Sequence, residues 1–466
     1  NSHEFDLAYI ELIKANEMLS SVDYSFIMLS EKQSEEIKVF QEDLFRRVVD
    51  YKDFISVIPQ LLGHPSEKSY LFIFQNDFEL RSTGGFIGSY AIVNMNNGKI
   101  ENIKIDDIYN PDGQLKEYIE PPDPFKIAFP GGSWGMRDAN WEPDFPTSAK
   151  QIEWFYKKAT GQEVDGVIAI NTNIIQELLE ILEPVTIDDG TIITKANFFE
   201  EAEAHHLTFE PGSTDKKDFL GNLSNALIEK LGDRDNDTLM KVGSLIEKML
   251  SKREMFIYLN DAQGQKIIVK RGWDGSILNQ KNDYLFIVEN NLGANKVNKD
   301  IGRKINQSIN IEEHEIIQNL RVEYTNNSMI DVWPGGKYLN FVQNIIPKNA
   351  EIIKVEGLRD SKIEEKYGYK VVSGWVEVEH QSTYEYSVSY KTFSIYDKPV
   401  DKKIYNHLVQ KQSGIGNAYI DINITYPEDW KINRSTSSLT QSVNDIEVSY
   451  LGLLNKDVEI ELIFNK

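Results

Sequence analysis

The sequence contains no cysteine. That absence excludes disulfides, cysteine-ligated zinc, iron–sulfur clusters and thiol nucleophiles, while leaving the compartment open, since exported and cytosolic proteins alike can lack the residue. Uninterrupted apolar runs of about 18 residues are also missing, so no segment reads as a transmembrane helix. Positive charge is scarce: 50 Lys and Arg stand against 73 Asp and Glu, a formal net charge of -23. A surface this acidic repels polyanions, which excludes nucleic-acid binding. The seven histidines form no HExxH motif, which argues against a zincin, and no GxSxG elbow occurs. His205 and His206 would face different directions on a helix.

What remains is ordinary for a folded protein. Hydrophobic residues make up 41% and aromatics 11% of 466 residues, which separates the chain from disordered sequences. At roughly 150 residues per domain the length suits about three domains. The chain opens on Asn1, Ser2 and His3 without a Met, which reads like the junction left by a removed segment. The expectation is a preceding apolar anchor helix that places these residues on the extracellular face of the cytoplasmic membrane.

Hydrophobic periodicity divides the chain into three parts. Leu7, Ile10, Leu12, Ile13, Met18 and Leu19 predict an amphipathic helix from Phe5 to about Ser21, and a second helix runs from Glu35 to about Leu62, where Gly63, His64 and Pro65 stop it. Strands are expected over Tyr70 to Phe74, Phe86 to Asn94 and Ile100 to Ile105, the last two joined at Asn96, Asn97 and Gly98. A long Pro- and Gly-rich loop then extends from Tyr109 to about Asp144. Helices at Ser148 to Ala159, Thr172 to Leu182, Lys217 to Leu231 and Thr238 to Ser251 alternate with strands at Asp165 to Ile170, Val185 to Ile187, Glu254 to Leu259 and Lys266 to Val269. From Asp283 the period becomes two, and eight strand-like segments without a convincing helix predict a β-sandwich. The fold class is therefore α/β: an N-terminal helical segment (1–64), a mixed-sheet α/β domain (65–289) and a C-terminal β-sandwich (290–466).

Chemistry concentrates in QNDFELRSTGGFIGS, residues 75–89. Period-two spacing puts Asp77, Glu79 and Arg81 on one side of a strand that runs into Thr83, Gly84 and Gly85. Charged side chains beyond a buried strand suit a ligand site at a sheet edge, and paired glycines allow close backbone approach. A solvated turn closed by an Arg ion pair fits the spacing equally well. The next strand ends in Asp106 and Asp107, which can hold a hard cation or simply face water. RDANWEPDFP, residues 137–146, sets Arg137, Asp138 and Asn140 beside Trp141, as a site or as an anchored loop. Trp273 and Trp333 read as packing residues, and NNLGANK (290–296) as a linker turn or a segment that returns toward the site.

The strings LFIFQNDFELRSTGGFIGSY, RDANWEPDFPTSA and VDGVIAI resemble signatures of an uncharacterised family of bacterial extracytoplasmic proteins, a domain of unknown function that one transmembrane helix usually precedes. NNLGANK and HLVQKQSG resemble the tail usual for that family. The family in turn resembles the LytR-CpsA-Psr phosphotransferases, membrane-anchored enzymes that use Mg²⁺ to move glycopolymers from a polyprenyl pyrophosphate carrier onto peptidoglycan. That resemblance implies a metal site at Asp77, Asp106 and Asp107 with Mg²⁺ as cofactor, a catalytic set of Arg81, Arg137, Asp106 and Asp107, and ligand contacts from Glu79, Thr83, Asp138, Asn140 and Lys217. The chain departs from the pattern where Ser82 and Thr83 replace an expected Asp, and where Asp106 replaces an Arg. Two functions follow as expectations: binding, with or without transfer, of a polyprenyl-phosphate-linked glycan or cell-wall polymer in envelope assembly, or a non-catalytic surface protein whose sandwich binds a partner.

Overall fold

The computed structural model describes residues 57–466 apart from 183, 199, 203–214, 233, 280–282, 394–401, 417, 437–438, 442–445 and 466, together with Glu11, Ile13, Lys14 and Met18. Most of the expected N-terminal helical segment lies outside the described residues. The α/β domain is built on five strands: β1 (Lys68–Asn76), β2 (Phe86–Asn96), β3 (Lys99–Asp107), β4 (Gly166–Asn171) and Met255–Leu259, in the order β3, β2, β1, β4, Met255–Leu259. β1 and β4 are parallel and every other pair is antiparallel, so the sheet is mixed. Alternation along β1 sends Leu71 and Ile73 to one face, where they meet Ala149, Ile152 and Phe155 of the helix Phe145–Thr160. Asp144 caps that helix by accepting from Thr147 N, and Gly161, at φ 74°, ends it. Phe72 and Phe74 point to the opposite face, with Ala91 and Ile105. Helices Asn173–Leu182 and Asp215–Gly232 lie against β4 and β3.

Two expectations of local structure are corrected. Lys266 to Val269 belong to the helix Ala262–Lys270, because Asp261 caps it by accepting from Gly264 N at 2.7 Å. The predicted strand from Ile309 to Thr325 is two strands, Ile301–Ile311 and Glu315–Asn326, that pair across a turn. The long loop carries two short helices, Tyr109–Gln114 and Asp123–Ala128.

The C-terminal part is a sandwich of two seven-stranded sheets, as the period-two pattern implies. One sheet runs Glu351–Glu356, Ser382–Phe393, Glu315–Asn326, Ile301–Ile311, Ala418–Thr425, Glu447–Leu453, Thr440–Gln441; the other runs Arg359–Lys366, Tyr369–Val378, Tyr338–Ile346, Asp283–Asn291, Lys402–Gln410, Val458–Asn465, Lys431–Ser435. The strand Asp283–Asn291 is central in the second sheet, so the sandwich starts at Asp283, ahead of the expected 290. Its interior holds a polar chain: Tyr405 and Gln318 donate to Asp283, Gln307 donates to Gln318 at 2.9 Å, and His407 Nε2 meets Gln307 Oε1 at 2.9 Å. Because the Gln307 amide nitrogen is committed to Gln318, His407 donates through Nε2. Burial pushes its pKa down to about 3, and burial pushes Asp283 up to about 6 against the Tyr405 and Gln318 bonds.

These two groups give opposite pH dependences. His407 stays neutral in the fold while the unfolded chain takes up a proton near 6.5, so its contribution is intact above that value and is lost as pH falls toward about 3. Asp283 contributes most below 3.8, and that contribution fades as pH rises through about 6. The melting temperature of His407→Gln should therefore fall less than wild type's between about pH 7 and about pH 4. Parallel curves would show that His407 carries no such linkage.

The domains meet through Gln412, whose amide donates to Arg81 O at 3.0 Å and Glu289 O at 2.8 Å and accepts from Glu289 N at 2.8 Å. Replacing it by Leu strands three buried backbone groups. Gln412→Leu should destabilise the protein by about 3 kcal/mol, measured by denaturant titration, and separate the melting of the two domains. An unchanged single transition would contradict the role given to Gln412.

Candidate functional site

The turn after β1 is densely hydrogen-bonded. Arg81 is 1% exposed. Its Nη2 donates to Glu79 Oε1 at 2.8 Å, Nε and Nη2 both reach Asp138 Oδ1 at 3.3 Å, and Nη1 donates to Asn291 O at 2.5 Å and Leu80 O at 3.2 Å. Phe86 and Phe125 cover the guanidinium at 5.6 and 6.0 Å. Ser82 donates to Asn290 Oδ1, Leu80 N to Asn298 Oδ1, and Thr83 to Gln75 Oε1. Gly84, at φ 145°, lies so close to Asn171 Oδ1 that a Cβ would stand 2.3 Å from it; a Cβ on Gly414 of the sandwich would stand 2.0 Å from Gly84 O. Gly84 and Gly85 thus make room for Asn171, Gln75 and the Asn76 backbone of their own domain, and Gly414 lets the sandwich approach Gly84, where sequence reasoning expected a ligand.

The 137–146 segment supports this turn from the other side. Asp138 accepts from Arg81, and Asn140 donates to Gln75 Oε1 and Gly85 O at 2.8 and 2.7 Å. Trp141 packs on Phe125 and on Phe341 of the sandwich, and Glu142 pairs with Lys366. Arg137 is the more accessible cation, with 28% of its side chain exposed. It binds Asp112 at 2.7 Å and approaches Asp138 at 3.4 Å. Burial raises the Glu79 pKa, with Arg81 opposing it, and burial likewise raises that of Asp112 against Arg137.

Beside this ionic cluster lies a cavity of about 490 Å³. Glu79, Arg81, Arg137, Asp138 and Lys296 line one region, while Phe74, Ile105, Ile170, Ile175, Leu223 and Leu227 line the space between the sheet and the helix Asp215–Gly232. Tyr109 and Trp333, 50% and 45% exposed, line it too and so stand at an opening. The shape suits a ligand with an apolar body and a charged end.

Four of the expected residues therefore converge: Glu79, Arg81, Arg137 and Asp138. Thr83 and Asn140 lie behind them, holding the turn. Asp106 and Asp107 do not join the cavity. Asp106 accepts from Asn110 and from Asp107 N, and Asp107 accepts from Tyr109 N, so the pair shapes the turn into the helix Tyr109–Gln114. Asp77 is directed the other way, accepting from Thr172 Oγ1 at 2.7 Å just past β4, and burial pushes its pKa up to about 6. Asp77 follows β1, two strand spacings or about 10 Å from β3, and its carboxylate is turned toward Thr172 on the far side of β1. Among the described residues no group of three or more His, Asp or Glu could hold a metal ion. The side chain of Lys217 lies outside the described residues. Sequence reasoning missed Lys296, Trp333 and Tyr109; the polar NNLGANK string was the signal for the first.

Comparison with known proteins gives a family-model match over part of the chain and partial structural likenesses. Among curated proteins none matches. Solved structures overlap in part: TagV of B. subtilis, 14% identical with a TM-score of 0.27 over 45% of this chain and 80% of that one; protein gbs0355 of Streptococcus agalactiae, 11% identical with a TM-score of 0.31 over 48% and 85%; and an M1 zinc metallopeptidase of Deinococcus radiodurans, 7% identical with a TM-score of 0.22 over 36% and 42%. This chain thus spans less than half of the metallopeptidase. Residues 66–206, which carry β1 to β4 and the Arg81 and Arg137 segments, match the family model described as a protein of unknown function (DUF4012).

Proposed function

We propose that the protein binds an amphiphile with an anionic, phosphate-bearing head and a long apolar tail, of the polyprenyl-phosphate-linked glycan class, in envelope assembly on the extracellular side of the cytoplasmic membrane. The observation that carries this reading is the cavity, apolar along the sheet and ionic where Arg137, Arg81 and Lys296 gather. Arg81 supports the site without reading the ligand, since its donors already serve Glu79, Asp138, Leu80 O and Asn291 O. Arg137 is the cation placed to exchange a carboxylate partner for a phosphate oxygen. Transfer of the glycan is the further step that the sequence resemblance adds. Its Mg²⁺ would draw on Asp77 with Asp106 or Asp107, whose carboxylates accept from Thr172 and from Asn110 and Tyr109 N.

The two arginines should separate binding from folding. Arg137→Ala should weaken binding of a detergent-solubilised short-chain polyprenyl phosphate by about tenfold, with a smaller loss of stability than Arg81→Ala because Arg137 is partly exposed. Arg81→Ala should instead destabilise the protein by about 3 to 5 kcal/mol, because it leaves Glu79 and Asp138 buried without their cation. Titration with and without Mg²⁺, alongside thermal denaturation, reads both. Absence of binding by the wild type under either condition would end this proposal.

A further inference from the structure

The loop between the sandwich strands Glu315–Asn326 and Tyr338–Ile346 reads SMIDVWPGG and displays apolar side chains to solvent: Met329 is 85% exposed, Ile330 46%, Val332 65% and Trp333 45%. Isolated exposed apolar residues are common, but four within five positions need a reason. Their display is held in place. Asn326 donates to Gly336 O and Val378 O, Ser328 Oγ donates to Ile330 O at 2.8 Å, Gly336 N donates to Ile330 O, and Gln381 donates to Ser328 O at 2.7 Å. Lys296 N, from the segment that borders the ionic cluster, donates to Pro334 O at 2.8 Å. The loop therefore anchors four of its carbonyls to the fold and turns its apolar side chains outward.

We infer that this loop is a membrane-contact surface, seated at headgroup depth in a lipid bilayer. The choice of bilayer over a protein partner rests on two features. The carbonyls of Ser328, Ile330, Pro334 and Gly336 are already bonded within the fold, which lowers the cost of seating the loop at an interface. The patch is also continuous with the cavity, since Trp333 belongs to both, so an apolar chain leaving a bilayer at this loop meets the cavity opening without crossing water. Trp at an interface with aliphatic neighbours is the composition of interfacial anchors. Asp331, within the same loop, limits the depth to the headgroup region. The contact does not depend on anionic lipid, given the net charge of -23. The purpose assigned to the contact, passing a lipid to the cavity, rests on the proposed function; the contact itself does not.

The test is sedimentation of the purified chain with phosphatidylcholine vesicles. Wild type should co-sediment, and the triple variant Met329→Ser, Ile330→Ser, Val332→Ser, whose positions do not line the cavity, should partition at least about tenfold less. Doxyl-labelled phosphatidylcholine should quench tryptophan fluorescence in wild type and less in Trp333→Phe. The triple variant should still bind the soluble polyprenyl phosphate, which keeps this inference distinct from the proposed function. Wild type that fails to sediment, or a triple variant that sediments equally, overturns the membrane contact whatever the lipid titration shows. A wild-type dimer that the triple variant loses, seen by light scattering without vesicle binding, would reassign the surface to self-association.

Discussion

A buried guanidinium organises this molecule. Removing Arg81 from water costs several kcal/mol unless its charge and donors are all answered, and the answers come from three stretches of chain. Glu79 comes from the same turn, Asp138 from the loop before the helix Phe145–Thr160, and the Asn291 carbonyl from the first strand of the sandwich. Each of these is held in turn: Asp138 belongs to a segment whose Asn140 binds Gln75 and Gly85 O, and Asn291 N donates to Leu80 O. Next to Asn291 the strand carries Glu289, which takes Arg303 at 2.8 and 3.0 Å and Tyr338 at 2.6 Å. The relative position of the two domains is thus tied to the neutralisation of one cation.

The same arrangement places the cavity. Open α/β sheets ordinarily bind ligands beyond the carboxyl ends of their strands. Here the sandwich occupies that edge: Gly414 presses on Gly84, Gln412 caps Arg81 O, and Lys411 reaches Glu254, which also accepts from Asn171 at the end of β4. Free space is displaced onto the sheet face under the helix Asp215–Gly232, where β1, β3 and β4 present Phe74, Ile105 and Ile170. A sheet face supplies an apolar wall and the sealed edge supplies charges, which accounts for the two-part character of the cavity.

The architecture was legible because it rests on periodicity. Alternation from Asp283 onward announced the sandwich, and the stretch from Ser148 to Ala159 announced the helix that the structure extends from Phe145 to Thr160. Legibility failed where a local pattern had two physical solutions. Lys266 to Val269 is β-branched enough for a strand, yet Asp261 and a following polar turn make it a helix. Glu79, Arg81, Thr83 and the paired glycines were recognisable as a special turn, but a turn that contacts a ligand and one that contacts another domain call for the same residues. What separated the cases was the partner, residues 290–298 and 412–414, more than 200 positions away. Asp106 and Asp107 show the same ambiguity on a smaller scale, since an acidic pair at a strand end serves a cation or a helix start equally well.

Charge balance at the cavity then bears on what can enter. Arg81, Arg137 and Lys296 meet Glu79, Asp138 and Asp112 there, an even count of three cations and three carboxylates. Such a cluster offers no net field to draw an anion across an acidic surface, so long-range attraction cannot be what loads the site. Local exchange can: Arg137 is partly exposed and bound to Asp112, whose pKa burial already raises, so when a phosphate takes over Arg137 the displaced carboxyl can take up a proton instead of remaining a buried anion. Recognition of the head is therefore coupled to prior burial of the tail, because the apolar wall provides the free energy of approach that the charges do not. A water-soluble sugar phosphate has the head without the tail and gains only the exchange. The order imposed by this geometry is tail first and head second, and it makes an amphiphile the ligand class that uses both halves of the cavity.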